Sequence, residues 1–283
     1  MAKRDIWLVS NAMSGSNDAR ALADLEAYCA RADLRIAYRT IFPRDRLPTP
    51  AMLDAAGIGL LAIFAGDGTL NATIEHLAGW GGEVLVLPGG TMNLLYHRLF
   101  GELAMERAIE AAAFGDAMRV RPTIIQSQFG VGYAGLLAGP GASWNRVREA
   151  IRENSIIDMA ESTVRAIDLT LGPGGVACVE PALGRREGYP LLQLNPLRDG
   201  IEVLAYYAET PREYLEQTFA LLRRSFREGP HDNLGKARKI ILSSTDGEPF
   251  GLLFDGEPHQ SSARAEFTLA QCEVDLLATT SDG

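Results

Sequence analysis

The sequence is poor in cysteine: Cys29, Cys178 and Cys272 are far apart in 283 residues. They fit neither a disulfide framework nor a metal-ligand spacing, and read as buried, reduced thiols of a cytoplasmic protein. Long hydrophobic runs are also missing. No apolar stretch reaches 18 residues, so nothing in the sequence spans a bilayer. The opening MAKRDIWLVSN has an apolar run of only about six residues, too short for a signal-peptide core, and reads as a first strand. Basic excess is absent as well. A net charge of −9 argues against a broad nucleic-acid footprint, although Arg223, Arg224 and Arg227 offer one local cluster. There is no GxxxxGK[ST] loop and no GxGxxG fingerprint, which excludes the two commonest nucleotide-binding signatures.

What is present is an ordinary soluble composition, 47% hydrophobic and 22% charged, in a chain long enough for two domains. From residue 5 to about 118, short apolar runs (5–11, 33–39, 59–64, 83–88) alternate with helix-period segments (17–32, 70–79, 102–114). That alternation predicts right-handed βαβ units, hence an α/β, doubly wound, Rossmann-like domain over residues 1–118. After residue 119 the rhythm changes to short β-rich segments punctuated by Gly, Pro and Asp, with helices expected near 140–158 and 211–228. This predicts a C-terminal antiparallel β-sandwich domain over 119–283, with the extreme C-terminus packing back on the first domain. With no repeat or low-complexity linker, the active site is expected in a cleft between the two.

In an open parallel sheet, ligands bind beyond the carboxyl ends of the strands. Three loops there are unusual. SNAMSG (10–15) exposes small polar groups and backbone N–H to an anion. AGDGTLN (65–71) flanks Asp67 with Gly66 and Gly68, then offers Thr69 and Asn71. A carboxylate in a phosphate-facing loop makes sense if it holds Mg²⁺ or accepts a proton; the bland alternative is that Asp67 caps the next helix. LPGGTMN (87–93) turns on Gly89 and Gly90, with Thr91 and Asn93 at a helix start.

In the second half, FDGEP (254–258) sets Asp255 and Glu257 two apart. On an extended segment both carboxylates would face one side; a turn around Gly256 is the alternative. The letters recur in TDGEPF (245–250), but that stretch is polar, whereas LLFDGEP follows an apolar run, so the second copy is the better candidate.

In that order, SNAMSG, AGDGTLN, PGGTMN and FDGEP resemble the catalytic signature of the diacylglycerol kinase and sphingosine kinase superfamily, especially its bacterial members. GDGT alone is shared with NAD kinases and phosphofructokinases. The late DGE and the P-x-G-T-x-N stretch point to the lipid kinases. The resemblance implies ATP and Mg²⁺ as cofactors and phosphoryl transfer to a hydroxyl of a lipid such as diacylglycerol. The acceptor would lie at a membrane surface, met by a cytoplasmic protein with no transmembrane segment and no nucleic-acid partner; a homodimer is left open. Asn11, Ser14, Gly15, Thr40, Ala65, Gly66, Asp67, Gly68, Thr69, Asn71, Gly90, Thr91 and Asn93 would line the nucleotide. Asp67 would organise catalytic Mg²⁺, Glu257 would accept the proton, and Asp255 would orient it or link to metal. LNPLRDGIEV matches a structural Mg²⁺ turn, giving Asp199 with backbone oxygens near Pro196 and Ile201. The chain departs from the pattern at Ala12 (usually Pro), Ala65 (usually Gly), Leu94 (usually acidic), Ser127 (usually Asn) and Ala134 (usually Asp). Two other readings stand beside this one: an NAD kinase-like enzyme with a soluble acceptor, and a non-catalytic nucleotide-binding relative.

Overall fold

A computed structural model describes residues 3–11, 19–139, 175–206 and 231–280. The chain divides into two compact units, Met1–Pro122 with Gln271–Gly283, and Thr123–Ala270. The expected helices at 140–158 and 211–228, the β-rich 162–172 and the Arg223–Arg227 cluster lie outside the described residues.

The first unit is built on a six-stranded sheet. Its strands are β1 (Arg4–Asn11), β2 (Leu34–Phe42), β3 (Leu60–Ala65), β4 (Glu83–Pro88), β5 (Met118–Val120) and β18 (Asp275–Ala278). They lie in the order β2-β1-β3-β4-β18-β5, all neighbours parallel except β18 and β5. β3 is buried along its whole length, as a central strand covered on both faces requires. Its sequence LLAIFA is therefore apolar throughout rather than alternating.

The connecting helices are α1 (Ala19–Arg31), α2 (Pro50–Ala55), α3 (Asp67–His76), α4 (Leu94–Phe100) and α5 (Met105–Phe114). α1 is made of good helix formers and buries Leu25 and Cys29, four residues apart on one face. α2 starts with Thr49 accepting the Met52 N–H and Pro50 in the first turn, a short helix whose cap-and-proline signal is easily passed over. Right-handed crossovers put α1 and α3 on opposite faces, because β1→β2 and β3→β4 run in opposite directions across the sheet. The sheet is thus doubly wound, and its strand order reverses between β1 and β3.

The second unit is antiparallel. One sheet has the order β10-β9-β14-β17-β6-β7 and the other β13-β12-β11-β8-β15-β16. The first comprises β6 (Thr123–Ser127), β7 (Gly130–Gly132), β9 (Val176–Glu180), β10 (Ala182–Leu183), β14 (Lys239–Ser244) and β17 (Arg264–Gln271). The second comprises β8 (Leu136–Gly139), β11 (Leu191–Leu197), β12 (Gly200–Tyr206), β13 (His231–Ala237), β15 (Gly251–Phe254) and β16 (Glu257–Gln260). Alternate residues of both sheets, among them Leu192, Leu194, Val203, Leu242, Leu252 and Phe267, meet in one core. That is a sandwich, with period-two burial as its cause. The boundary falls at 122/123 rather than 118/119, and residues 271–283 belong to the first unit because β18 is a strand of its sheet.

Candidate functional site

The three loops singled out above leave the carboxyl ends of β1, β3 and β4, which are adjacent strands. Two contacts tie them together. Asn11, the last residue of β1, donates its side-chain N–H to the Thr69 hydroxyl at 2.7 Å. This bond spans the position where strand order reverses, the place where open α/β sheets bind ligands. On the other side, Gly90 rests against Gly66 so closely that a Cβ on Gly90 would lie 2.5 Å from the Gly66 Cα. Gly90 is needed for that close approach, not for an unusual backbone angle, which refines the expectation of a simple turn.

The helix after β3 begins three residues earlier than its apolar period indicates, at Asp67 instead of residue 70. Gly66 is the N-cap and makes no side-chain cap bond, so Asp67 is the first helical residue and not the cap. Its carboxylate is buried, as is Thr69, at the positive end of a ten-residue helix. Thr73 then donates its hydroxyl to the Thr69 carbonyl at 2.7 Å. Gly68 and Asn71 lie in the first turn and a half of the same helix.

In the third loop Asn93 adopts the left-handed conformation, φ 52°, and caps α4. Its amide group folds back on Gly90, accepting that residue's N–H at 2.7 Å and donating to its carbonyl at 2.9 Å. Asn93 therefore shapes the loop that carries Gly90, while Thr91 at its tip is exposed. Thr40 is not at the end of its strand. It sits inside β2, buried, with its hydroxyl oxygen accepting the Trp7 indole N–H at 2.9 Å. Ala65 is the last residue of β3, fully buried and paired with Pro88. It is not among the non-glycine residues with positive φ, so its methyl replaces a glycine without backbone strain. Ser14 and Gly15 lie outside the described residues.

The second candidate group lies in the second unit. Asp255 and Gly256 form the two-residue turn between β15 and β16, with φ of 47° and 88°, and Phe254 pairs with Glu257. The two carboxylates consequently do not share an extended segment, and the turn alternative is the one observed. Asp255 is 2% exposed. It accepts backbone N–H bonds from Tyr133 (2.7 Å), Ala134 (2.8 Å) and Gly135 (3.0 Å). Glu257 is half-buried at the start of edge strand β16. In the sequence Ala134 stands out only as a departure from the family pattern; the part that residues 130–135 play around Asp255 has no signal there beyond the glycine density of GVGYAG. In the other copy, residues 245–249 are an exposed loop in which Asp246 accepts the Glu248 N–H at 3.0 Å, and Phe250 turns into the core.

Asp199 lies in the hairpin turn between β11 and β12, exposed and ion-paired with Lys236, whose ammonium lowers its pKa. The Pro196 carbonyl accepts the Thr123 hydroxyl, and Ile201 is a buried ladder residue opposite Pro196. The one carboxylate of this turn is engaged by a lysine, so a cation held there with the backbone oxygens would have to displace that ammonium. Asp67 does fit a nucleotide-linked magnesium, which needs only one or two protein carboxylates beside the phosphates. The three cysteines are buried; burial pushes Cys29 and Cys178 up to about 11 and raises Cys272. None is an activated nucleophile.

The family model of the diacylglycerol kinase catalytic domain matches residues 5–123, which contain all three loops. No curated protein matches the sequence. Among solved structures, a diacylglycerol kinase from Bacillus anthracis str. Sterne has a TM-score of 0.58 at 13% identity, covering 98% of this chain and 97% of that one. Two more from the same organism, provisionally described as diacylglycerol kinases, give TM-scores of 0.62 and 0.61 at 14% and 16% identity. They cover 97% and 98% of this chain and 96% and 95% of theirs. At such identities the structural likeness is one of fold. The likeness in sequence to the diacylglycerol kinase catalytic domain thus spans residues 5–123, and the likeness across the rest of the chain is one of fold.

Proposed function

We propose that the protein is an ATP-dependent lipid kinase that transfers the γ-phosphoryl group to a hydroxyl of a lipid such as diacylglycerol. The observation that carries this reading is the linkage of three adjacent strand ends at the carboxyl edge of the first sheet, Asn11 to Thr69 and Gly66 to Gly90. Backbone N–H groups of these loops, with Thr69 and Thr91, are assigned to the phosphates, and the positive end of α3 adds to their attraction. Bound magnesium would supply charge neutralisation on the phosphate oxygens, and Asp67 is the residue assigned to hold it. Glu257 takes the proton of the acceptor hydroxyl as its oxygen bonds to the γ-phosphorus; the bond to the β-phosphate oxygen breaks and ADP leaves. Little else is asked of the protein beyond positioning and charge. No described helix is long and apolar enough to cross a membrane, so the lipid would be met by transient contact at the surface.

The test is transfer from labelled ATP to a panel of acceptors: vesicles containing diacylglycerol, vesicles containing sphingosine, and NAD, with products read by mass spectrometry. Labelled lipid is the expected product. Glu257→Gln should lower turnover by about 10²–10⁴ with ATP binding retained, and Asp67→Asn should abolish magnesium-dependent turnover. Phosphorylated NAD would make it a kinase of a soluble acceptor. ATP binding with no acceptor phosphorylated would leave a nucleotide-binding module.

A further inference from the structure

We infer that Asp255 is a positioning residue whose carboxylate fixes the hairpin presenting Glu257, and that it neither ligates metal nor handles the proton. The inference rests on the role proposed for Glu257. A carboxylate that is 2% exposed is tolerated only where hydrogen bonds replace its water. Three successive backbone amides do so here, Tyr133 to one oxygen and Ala134 and Gly135 to the other. The tie is reciprocal, since the Asp255 N–H donates to the Gly135 carbonyl at 3.1 Å.

The neighbouring ring completes the brace. Phe254 lies over the glycines of β7: a Cβ on Gly130 would be 3.3 Å from its ring and one on Gly132 3.5 Å, with the Gly135 carbonyl oxygen 3.0 Å from the latter. On its outer side the ring meets the His259 imidazole edge-to-face, centroids 5.3 Å apart. Residues 130–135 therefore grip both Phe254 and Asp255, immediately before the half-buried Glu257. Both oxygens of Asp255 face amide donors, whereas the Glu257 side chain stands at the rim of an edge strand. A displacement of about an ångström at a reacting group costs on the order of 10²-fold in rate.

Asp255→Asn puts an N–H donor against the amides of this turn. The expected result is a kcat about 10²-fold lower with the KM for ATP unchanged, together with faster hydrogen exchange across residues 251–260. In a Glu257→Gln background the same change should cost nothing further, because a residue acting through another has no effect once that other is lost. Gly132→Ala, which presses on the brace without altering any carboxylate, should repeat the pattern more mildly and serves if Asp255→Asn does not fold. Loss that multiplies with that of Glu257→Gln, or a raised magnesium requirement, would overturn the inference. So would unchanged exchange in the hairpin. If Glu257→Gln alone retains full activity, the assigned base is wrong, and the exchange measurement still decides whether Asp255 is the strut.

Discussion

Replacing Gly90 by alanine tests the phosphate-site geometry most directly. The added Cβ would lie 2.5 Å from the Gly66 Cα, 3.2 Å from the Asn93 Oδ1 and 3.4 Å from the Gly66 nitrogen. The closest of these is backbone at the N-cap of α3, which cannot swing aside as a side chain would. Ordinary contact begins near 3.4 Å, so the second and third loops must separate by close to an ångström. Overpacking of this kind costs about 1–3 kcal/mol, and a shift of that size at a phosphate cradle costs roughly 10²-fold in turnover. Gly81→Ala is the matched control, since a Cβ there meets nothing within 4 Å. Calorimetric ATP titration, turnover and thermal melting of both variants give the answer. Gly90→Ala should bind ATP weakly and melt several degrees lower, while Gly81→Ala should behave as wild type. Normal ATP affinity in Gly90→Ala would refute the view that the Gly66–Gly90 contact shapes the nucleotide site.

Other outcomes follow from the ion pairs. Glu83 is buried where β4 begins and meets Arg4 of β1 and Arg119 of β5, each at 2.5 Å. Burial raises its pKa, but the two guanidiniums outweigh that and hold it below the usual glutamate value. A lowered folded-state pKa means this stabilisation is present above about pH 4.5 and lost as pH falls through the folded value. Glu83→Gln should cost about 1–3 kcal/mol at neutral pH in denaturant titrations and flatten the acid limb of stability against pH. An unflattened limb would show that other groups dominate acid unfolding. Asp199→Asn should leave the melting temperature unchanged with or without magnesium, because its exposed pair with Lys236 is screened by water. A magnesium-dependent rise in the wild type that vanishes in this variant would show that the turn binds the cation after all.

The parts of the fold that the sequence made legible are those where burial imposes a period. β1, β3 and β4 are read within a few residues because their apolar runs are buried. The sequence does not single out β7, β8, β10, β13, β16 or β18, and four of these six, β7, β10, β13 and β16, are sheet edges. HDNLGKA and EPHQ lack the alternation of a half-buried strand, since an edge gains its ladder on one side and keeps much of its surface in water. The early start of α3 was hidden for a different reason. Gly66 and Gly68 advertise a loop, yet Gly68 lies inside the first helical turn, where glycine is ordinarily unfavourable. In the candidate site, the grouping of Asn11, Asp67, Thr69 and Gly90 was visible from loop positions alone. The environment of Asp255 was not, because its partners are backbone amides some 120 residues away, which leave no side-chain signature.

β18 lies between β4 and β5, pairing in parallel with Glu83 and Val84 and in antiparallel with Arg119 and Val120. Arg121 binds Asp275 at 2.6 Å, and the Thr279 and Thr280 amides bond the Leu99 carbonyl near the end of α4. On a ribosome, residues 118–120 would emerge some 150 residues before the strand they pair with. Until then β4 presents an open edge and β5 has no neighbour to join. The first unit thus becomes complete only after the whole sandwich has been synthesised, and the interval exposes an apolar strand edge to misassembly. A fragment cut at residue 123, where the family match stops, would carry that same open edge permanently.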